Sequence, residues 1–134
     1  MSSPLTLTFD ELPAEIPIFP LSDVVLLPKG VLPLNIFEPR YIAMIDYALK
    51  HDRLIGMIQP RHHNIEDAQA PSALYDIGCA GRITNFNETS DGRYEIMLSG
   101  LNRFEIKDDT LTQQGFREAN VQWMAYAHDM DAEH

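Results

Sequence analysis

Three groups of residues in this chain are of types that could do chemistry. Cys79 is the only cysteine; a thiol is a nucleophile or metal ligand only as the thiolate, in an electropositive and partly exposed setting. His62-His63, followed by Glu66 and Asp67, has the ligand types of a divalent-metal site. Glu38-Pro39-Arg40-Tyr41 puts a carboxylate, a guanidinium and a phenol side by side, and an arginine fork there could grip an anionic ligand.

Each group depends on the element that carries it. Cys79 falls within "LYDIGCAGRITNFNE" (74–88), a strand-like stretch in which a lone cysteine is inert packing. The two histidines sit in "RHHNIEDAQAPSA" (61–73), a polar run expected to be a long surface loop. Adjacent side chains there point apart, and neither H-x-x-x-H nor H-E-x-x-H spacing supports a metal. No G-x-S-x-G elbow is present, and no phosphate-cradling G-x-x-x-x-G-K-[ST] loop. Lys29, Lys50 and Lys107 fall in turns or on exposed faces, unsuited to a nucleophilic amine. The sequence therefore predicts no catalytic residue, no metal site and no cofactor.

The Glu38-Pro39-Arg40-Tyr41 stretch has a structural explanation at every position. An apolar strand ends at Phe37, and from Pro39 the spacing becomes helical, with Tyr41, Ile42, Ile45, Ala48 and Leu49 on one face. Pro39 suits the first helical position, where its missing N–H costs nothing. Glu38 lies at the positive end of the helix, Tyr41 packs inward, and Arg40 braces the bend through a carboxylate or a strand carbonyl. Phe37, Glu38, Pro39, Arg40 and Tyr41 are read as a structural hinge. A helix over residues 39–51 follows, with Asp46 and Lys50 placed to pair on its exposed side.

The remaining elements are strands. "IPIFPL" (16–21) is short and bounded by prolines, which places it at an edge or a barrel rim. "SDVVLLPKGVLPLNIF" (22–37) holds two apolar runs around a Pro-Lys-Gly turn. "RLIGMIQP" (53–60) reads as a buried strand, and 74–88 as a long strand bent at Gly78 and Gly81. Asp91-Gly92 is a hairpin signal. Its partner strand turns Tyr94, Ile96 and Leu98 to one side, and Arg93, Glu95 and Met97 to the other. Past a kink at Gly100, Phe104 and Ile106 point inward, and 116–127 closes the pattern. Six or seven strands with glycine bends and one helix predict a curled, closed or half-closed barrel.

The chain has 134 residues, 45% of them hydrophobic, enough for one core. Twenty acidic residues against 10 basic ones give a formal charge of −10, which repels phosphate backbones and anionic membranes alike. No apolar run reaches the ~18 residues that span a bilayer, and the N-terminus lacks the features of a secretory signal. With a single cysteine there is no disulfide framework. A reducing cytoplasm is the expected compartment.

"IPIFPLSDVVLLPKGVLPLNIFEPRYIAMIDYAL" and "LYDIGCAGRITNFNETSDGRYEIMLSGLNRFEI" resemble, in order, the two sequence blocks of the Lon-protease N-terminal, or LON substrate-binding, domain. The "IFEPRY" form is similar to the stand-alone bacterial members. The resemblance implies a PUA-like pseudobarrel, mainly β with α, of about six strands with one packed helix, and a non-catalytic role in recognising unfolded or tagged polypeptides. Walker and protease segments are missing. Residues 1–15 are expected to be an extension, 16–127 the barrel domain and 128–134 an acidic tail, truncated before a helical C-terminal region.

The functional expectation is a protein- or peptide-binding module, serving as an adaptor in proteolysis or protein quality control. Its partners would be polypeptide segments and a protease or its substrates, with weak self-association and no nucleic acid or membrane. Leu26, Leu27, Val31 and Leu32, around the Pro28-Gly30 turn, and the adaptable Met57 and Met97 are the candidate peptide contacts. The alternative is an RNA-binding PUA-like module, which the charge of −10 opposes.

Overall fold

The computed structural model describes residues 12–22, 24–60 and 77–123. Its elements in chain order are β1 (Glu15–Pro20), β2 (Val31–Ile36), α1 (Pro39–Lys50), β3 (Leu54–Ile58), β4 (Ile77–Glu88), β5 (Tyr94–Leu111) and β6 (Arg117–Gln122). β5, at 18 residues, is long enough to organise the rest. One of its edges pairs with β4 from Tyr94 to Glu105. Its other edge serves two strands in succession, β2 against Tyr94–Ser99 and β6 against Glu105–Leu111.

The order β5-β4-β3-β1-β6, with β6 returning to β5, closes a five-stranded ring, and β2 extends one side of it. Of the closed or half-closed barrel expected from the glycine bends and short turns, the closed form is therefore present. Closure leaves few strand edges exposed. Register shifts at Ala80/Gly81 and Ile83/Asn85 supply the local bends that let β4 curl.

Inside the ring, Phe104 is fully buried among Ile16, Ile18, Leu54 and Ala119. Gly56 and Gly78 make room for its ring: a β-carbon on either would approach within 2.7 and 2.8 Å of Phe104 Cζ. Burying such a side chain contributes about 2–3 kcal/mol. A second core lies outside the ring, where α1 covers the outer faces of β1, β3 and β4. There Tyr41, Met44, Ile45 and Ala48 meet Phe19, Ile55, Met57 and Cys79. The Phe19 and Tyr41 rings lie 4.4 Å apart. All five residues of β3 are buried because this strand serves both cores, so it reads as a continuous apolar run rather than an alternating one.

α1 starts as the sequence implies, with Pro39 in its first turn and an extended backbone at Glu38. It ends at Lys50, where the backbone N–H groups of His51 and Arg53 both close on the Ala48 carbonyl, and Arg53 takes a positive φ of 61°. Asp46 does not serve as a partner for Lys50: it accepts a 2.8 Å hydrogen bond from the Tyr94 hydroxyl on β5. The hairpin forms at the expected place, with Gly92 at φ +87° and the Thr89 hydroxyl accepting from Arg93 N at 3.0 Å.

Two expectations are corrected. Of the edge or barrel rim expected for β1, the edge is excluded, because β1 lies between β6 and β3. It tolerates its prolines because it changes neighbours half-way: Pro17 is registered only with β6 and Pro20 only with β3, leaving each one side on which no N–H is required. The first apolar run of 22–37 is not a strand either. Residues 24–30 form a loop that crosses β5.

Candidate functional site

The crossing loop is fixed from both ends. Lys29 N donates to Gly100 O at 2.8 Å, and Gly100 N donates to Gly30 O at 2.7 Å. Lys29 sits in the left-handed region at φ 68°, which tightens the turn. The loop backbone lies so close to β5 that a β-carbon on Gly100 would fall 1.9 Å from Leu27 O. Gly81, registered opposite Gly100, leaves space for Leu26, whose Cδ2 would be 2.8 Å from a β-carbon there.

With Leu26 pinned inward, its neighbours turn out. Val25 is 67% and Leu27 63% exposed, and Val31, at the start of β2, is 64% exposed. The result is an apolar ridge beside a cavity of about 250 Å³. Leu26, Met57 and Cys79 form its buried floor; Val25, Ile77 and Arg103 stand around it. Gln59 Nε2 donates to Val24 O at 3.3 Å and ties the loop to the end of β3.

The six residues singled out from the sequence thus separate into four settings. Leu26 and Met57 come together, but as floor rather than rim. Leu27 and Val31 are open to solvent, and Leu32 is half-buried against the outer core. Met97 belongs to a different surface, the uncovered face of β2, β5 and β4, where it is registered opposite Pro33 and Asn85. That face forms a shallow concavity of about 740 Å³ that also includes Thr84, Phe86, Asn87 and Glu95. Val25 and Ile77 were missed. The apolar run at 24–27 held the signal for Val25, but nothing local says which of its residues point out.

Of the expected hinge residues, Glu38, Arg40 and Tyr41 contact one another. Arg40 Nε donates to Glu38 Oε1 at 3.3 Å, and the Arg40 guanidinium carbon lies 4.7 Å from the Tyr41 ring centre. Burial pushes the Tyr41 phenol up, opposed in part by the Arg40 charge. Phe37 is 65% exposed at the end of β2.

Two further phenols tie elements together. A hydrogen bond to Glu118 raises Tyr47 to about 12, and the bond to Asp46 does the same for Tyr94. Each couples α1 to a strand. Arg117 on β6 is buried and its Nη1 donates to Asp109 Oδ2 on β5 at 2.7 Å.

Cys79 is buried and its thiol lies 3.7 Å from Ala80 O. Among the described residues, no group of three His, Cys, Asp or Glu could hold a metal ion; His62, His63, Glu66 and Asp67 lie outside them. No described helix is long and apolar enough to cross a membrane. The described surfaces include an apolar ridge with an adjoining cavity and a polar concave sheet.

Comparison with known proteins places this arrangement. Residues 15–133 match the family described as the ATP-dependent protease La (LON) substrate-binding domain. A Lon protease of Desulfosudis oleivorans is 34% identical over 101 residues, which is 75% of this chain and 12% of that protein. One from Anaeromyxobacter dehalogenans is 32% identical over 106 residues, 79% of this chain and again 12% of the relative. This chain therefore spans only a small part of these relatives. Among solved structures, a Lon N-terminal domain protein from Xanthomonas campestris superposes with a TM-score of 0.65 at 25% identity, covering 81% of this chain and 59% of the other. The N-terminal domain of a Mycobacterium avium complex Lon protease gives 0.62 at 15% identity, over 81% and 54% of the two chains, a likeness of fold.

Proposed function

Since this chain belongs to the LON substrate-binding domain family, we propose that it is a polypeptide-recognition module that holds segments of other proteins and performs no reaction on them itself. The observation that carries this reading is the ridge of Val25, Leu27 and Val31, three large apolar side chains each more than 60% exposed, beside the cavity floored by Leu26 and Met57. Scattered apolar residues are ordinary on a surface, but a contiguous apolar patch marks a contact site. An extended or unfolded segment can lay one apolar side chain into the cavity and others along the ridge. The flexible thioether of Met57 lets that floor adapt to different side chains.

The module would serve as an adaptor in proteolysis or quality control, presenting what it holds to a protease. An RNA-binding role has less to rest on: the formal charge of −10 opposes a phosphate backbone.

Titration with an unfolded casein-like peptide, followed by amide NMR, tests the reading. Signals of residues 24–34 should shift, and Val25→Asp or Leu27→Asp should weaken binding about tenfold, the effect of removing ~1.4 kcal/mol of apolar contact. No shifts at high peptide concentration, or shifts confined elsewhere, would overturn it.

A further inference from the structure

The uncovered face of β2, β5 and β4 differs in kind from the ridge. Its opposite side packs Leu32, Leu34, Ile96, Leu98 and Ile83 toward the outer core. The uncovered side carries cross-strand rows instead. One runs Pro33, Met97, Asn85; the next runs Asn35, Glu95, Asn87. Glu95 is the single charged residue among the described residues that line the 740 Å³ concavity, a size within the usual range for ligand sites.

Glu95 sits with an asparagine on either side. Asn87 Nδ2 donates to Glu95 Oε1 at 3.2 Å, the only polar contact of that carboxylate among the described residues. Asn35 Oδ1 is occupied, accepting from Arg93 Nη1 at 3.2 Å, so its amide nitrogen remains to donate. Arg93 itself is drawn to Asp91, with Nε 3.0 Å from Oδ2, and among the described residues Glu95 is left without a cation. A row of side-chain amides can accept from and donate to any extended backbone, while a lone carboxylate between them selects charge. Met97 and Pro33 add apolar contact for an aliphatic side-chain stem.

We propose that this concave sheet face is a second contact surface, built for an extended polypeptide segment bearing lysine or arginine, with Glu95 as the charge-selecting residue. This deepens the polypeptide-recognition reading and rests on it. The ridge takes apolar side chains; this face takes cationic ones. A net charge of −10 draws cationic segments toward the molecule before contact.

Fluorescence polarisation with two labelled unstructured peptides, one rich in Lys and one with Glu at the same positions, tests the proposal on the full chain. The Lys peptide should bind the tighter, and lose affinity at about 0.3 M salt. Glu95→Gln should weaken it about fivefold, and Glu95→Lys further, while the Glu peptide gains. Asn35→Ala, which keeps the carboxylate, should weaken both peptides alike. Amide signals of residues 33–35, 84–87 and 95–97 should move with the Lys peptide.

Unchanged affinity in Glu95→Gln and Glu95→Lys overturns the proposal, as does a dimer of the free protein that Glu95→Lys dissociates, which would make a second copy the occupant. If those variants are silent while Leu27→Asp still impairs the casein-like peptide, only this inference fails. Loss of ridge binding with Glu95 selectivity intact would fail the ridge alone.

Discussion

Gly100 and Leu27 occupy what would be one volume if Gly100 carried a side chain: its β-carbon would fall 1.9 Å from the Leu27 carbonyl oxygen. The obstruction is backbone, not the movable end of a side chain, so it cannot be relieved without shifting the crossing loop. The apolar ridge therefore owes its position to a glycine on another strand.

Gly100→Ala should cost about 2–3 kcal/mol by overpacking and detach the loop from β5. Chemical denaturation measures the first effect. Altered amide signals at Lys29 and Gly30, with weakened binding of the casein-like peptide, mark the second. An alanine variant of wild-type stability and unchanged loop signals would contradict this account.

Asp109→Ala removes the carboxylate that Arg117 meets at 2.7 Å, in the seam where β6 closes on β5. Disrupting one partner of a buried pair costs about 3 kcal/mol. The double variant Asp109→Leu/Arg117→Met should recover much of that loss, because an apolar pair needs no charge desolvated. Urea unfolding of the three proteins decides it.

The Tyr94 phenol is held up at about 12, mainly by its hydrogen bond to Asp46, against an ordinary value near 10. A group whose folded value is raised contributes fully below its unfolded value and loses that contribution as pH climbs toward the folded one. Stability should accordingly fall between about pH 10 and 12, with Tyr47 adding to the decline through Glu118. Tyr94→Phe should cost about 0.5 kcal/mol near neutrality and make the alkaline decline shallower, as read from denaturation midpoints across that range.

Phe104→Ala should cost about 4 kcal/mol, since Gly56 and Gly78 are shaped around its ring and cannot collapse to fill the space. Thermal melts would register a drop of several degrees or more.

Much of this was readable in the chain. The Pro39 helix start, the Asp91-Gly92 hairpin, and the opposition of Tyr94, Ile96 and Leu98 to Glu95 and Met97 all follow from local residue types and periodicity. What escaped depends on distant partners. Val24 to Leu27 has the composition of a strand, and only Gly81 and Gly100, more than fifty residues on, make it a crossing loop with Leu26 in and Val25 out. Asp46 had a plausible partner four residues away but accepts instead from Tyr94 on β5, forty-eight residues on. The prolines of β1 suggested an edge because local reasoning has no way to see a strand exchange neighbours midway. The ridge was half legible: Leu27 and Val31 stand on it, whereas Leu26 and Met57 lie beneath.

Among the described residues, β2 is registered with a neighbour, β5, along one side only. Gly100 N donating to Gly30 O fixes the alternation, so Leu32, Leu34 and Ile36 face β5 while Val31, Pro33 and Asn35 turn their backbone groups outward. The middle one of those three is the residue with no N–H to give. The imino ring at Pro33 interrupts the row of donors that an incoming strand would need, so that side of β2 is a poor template for further pairing.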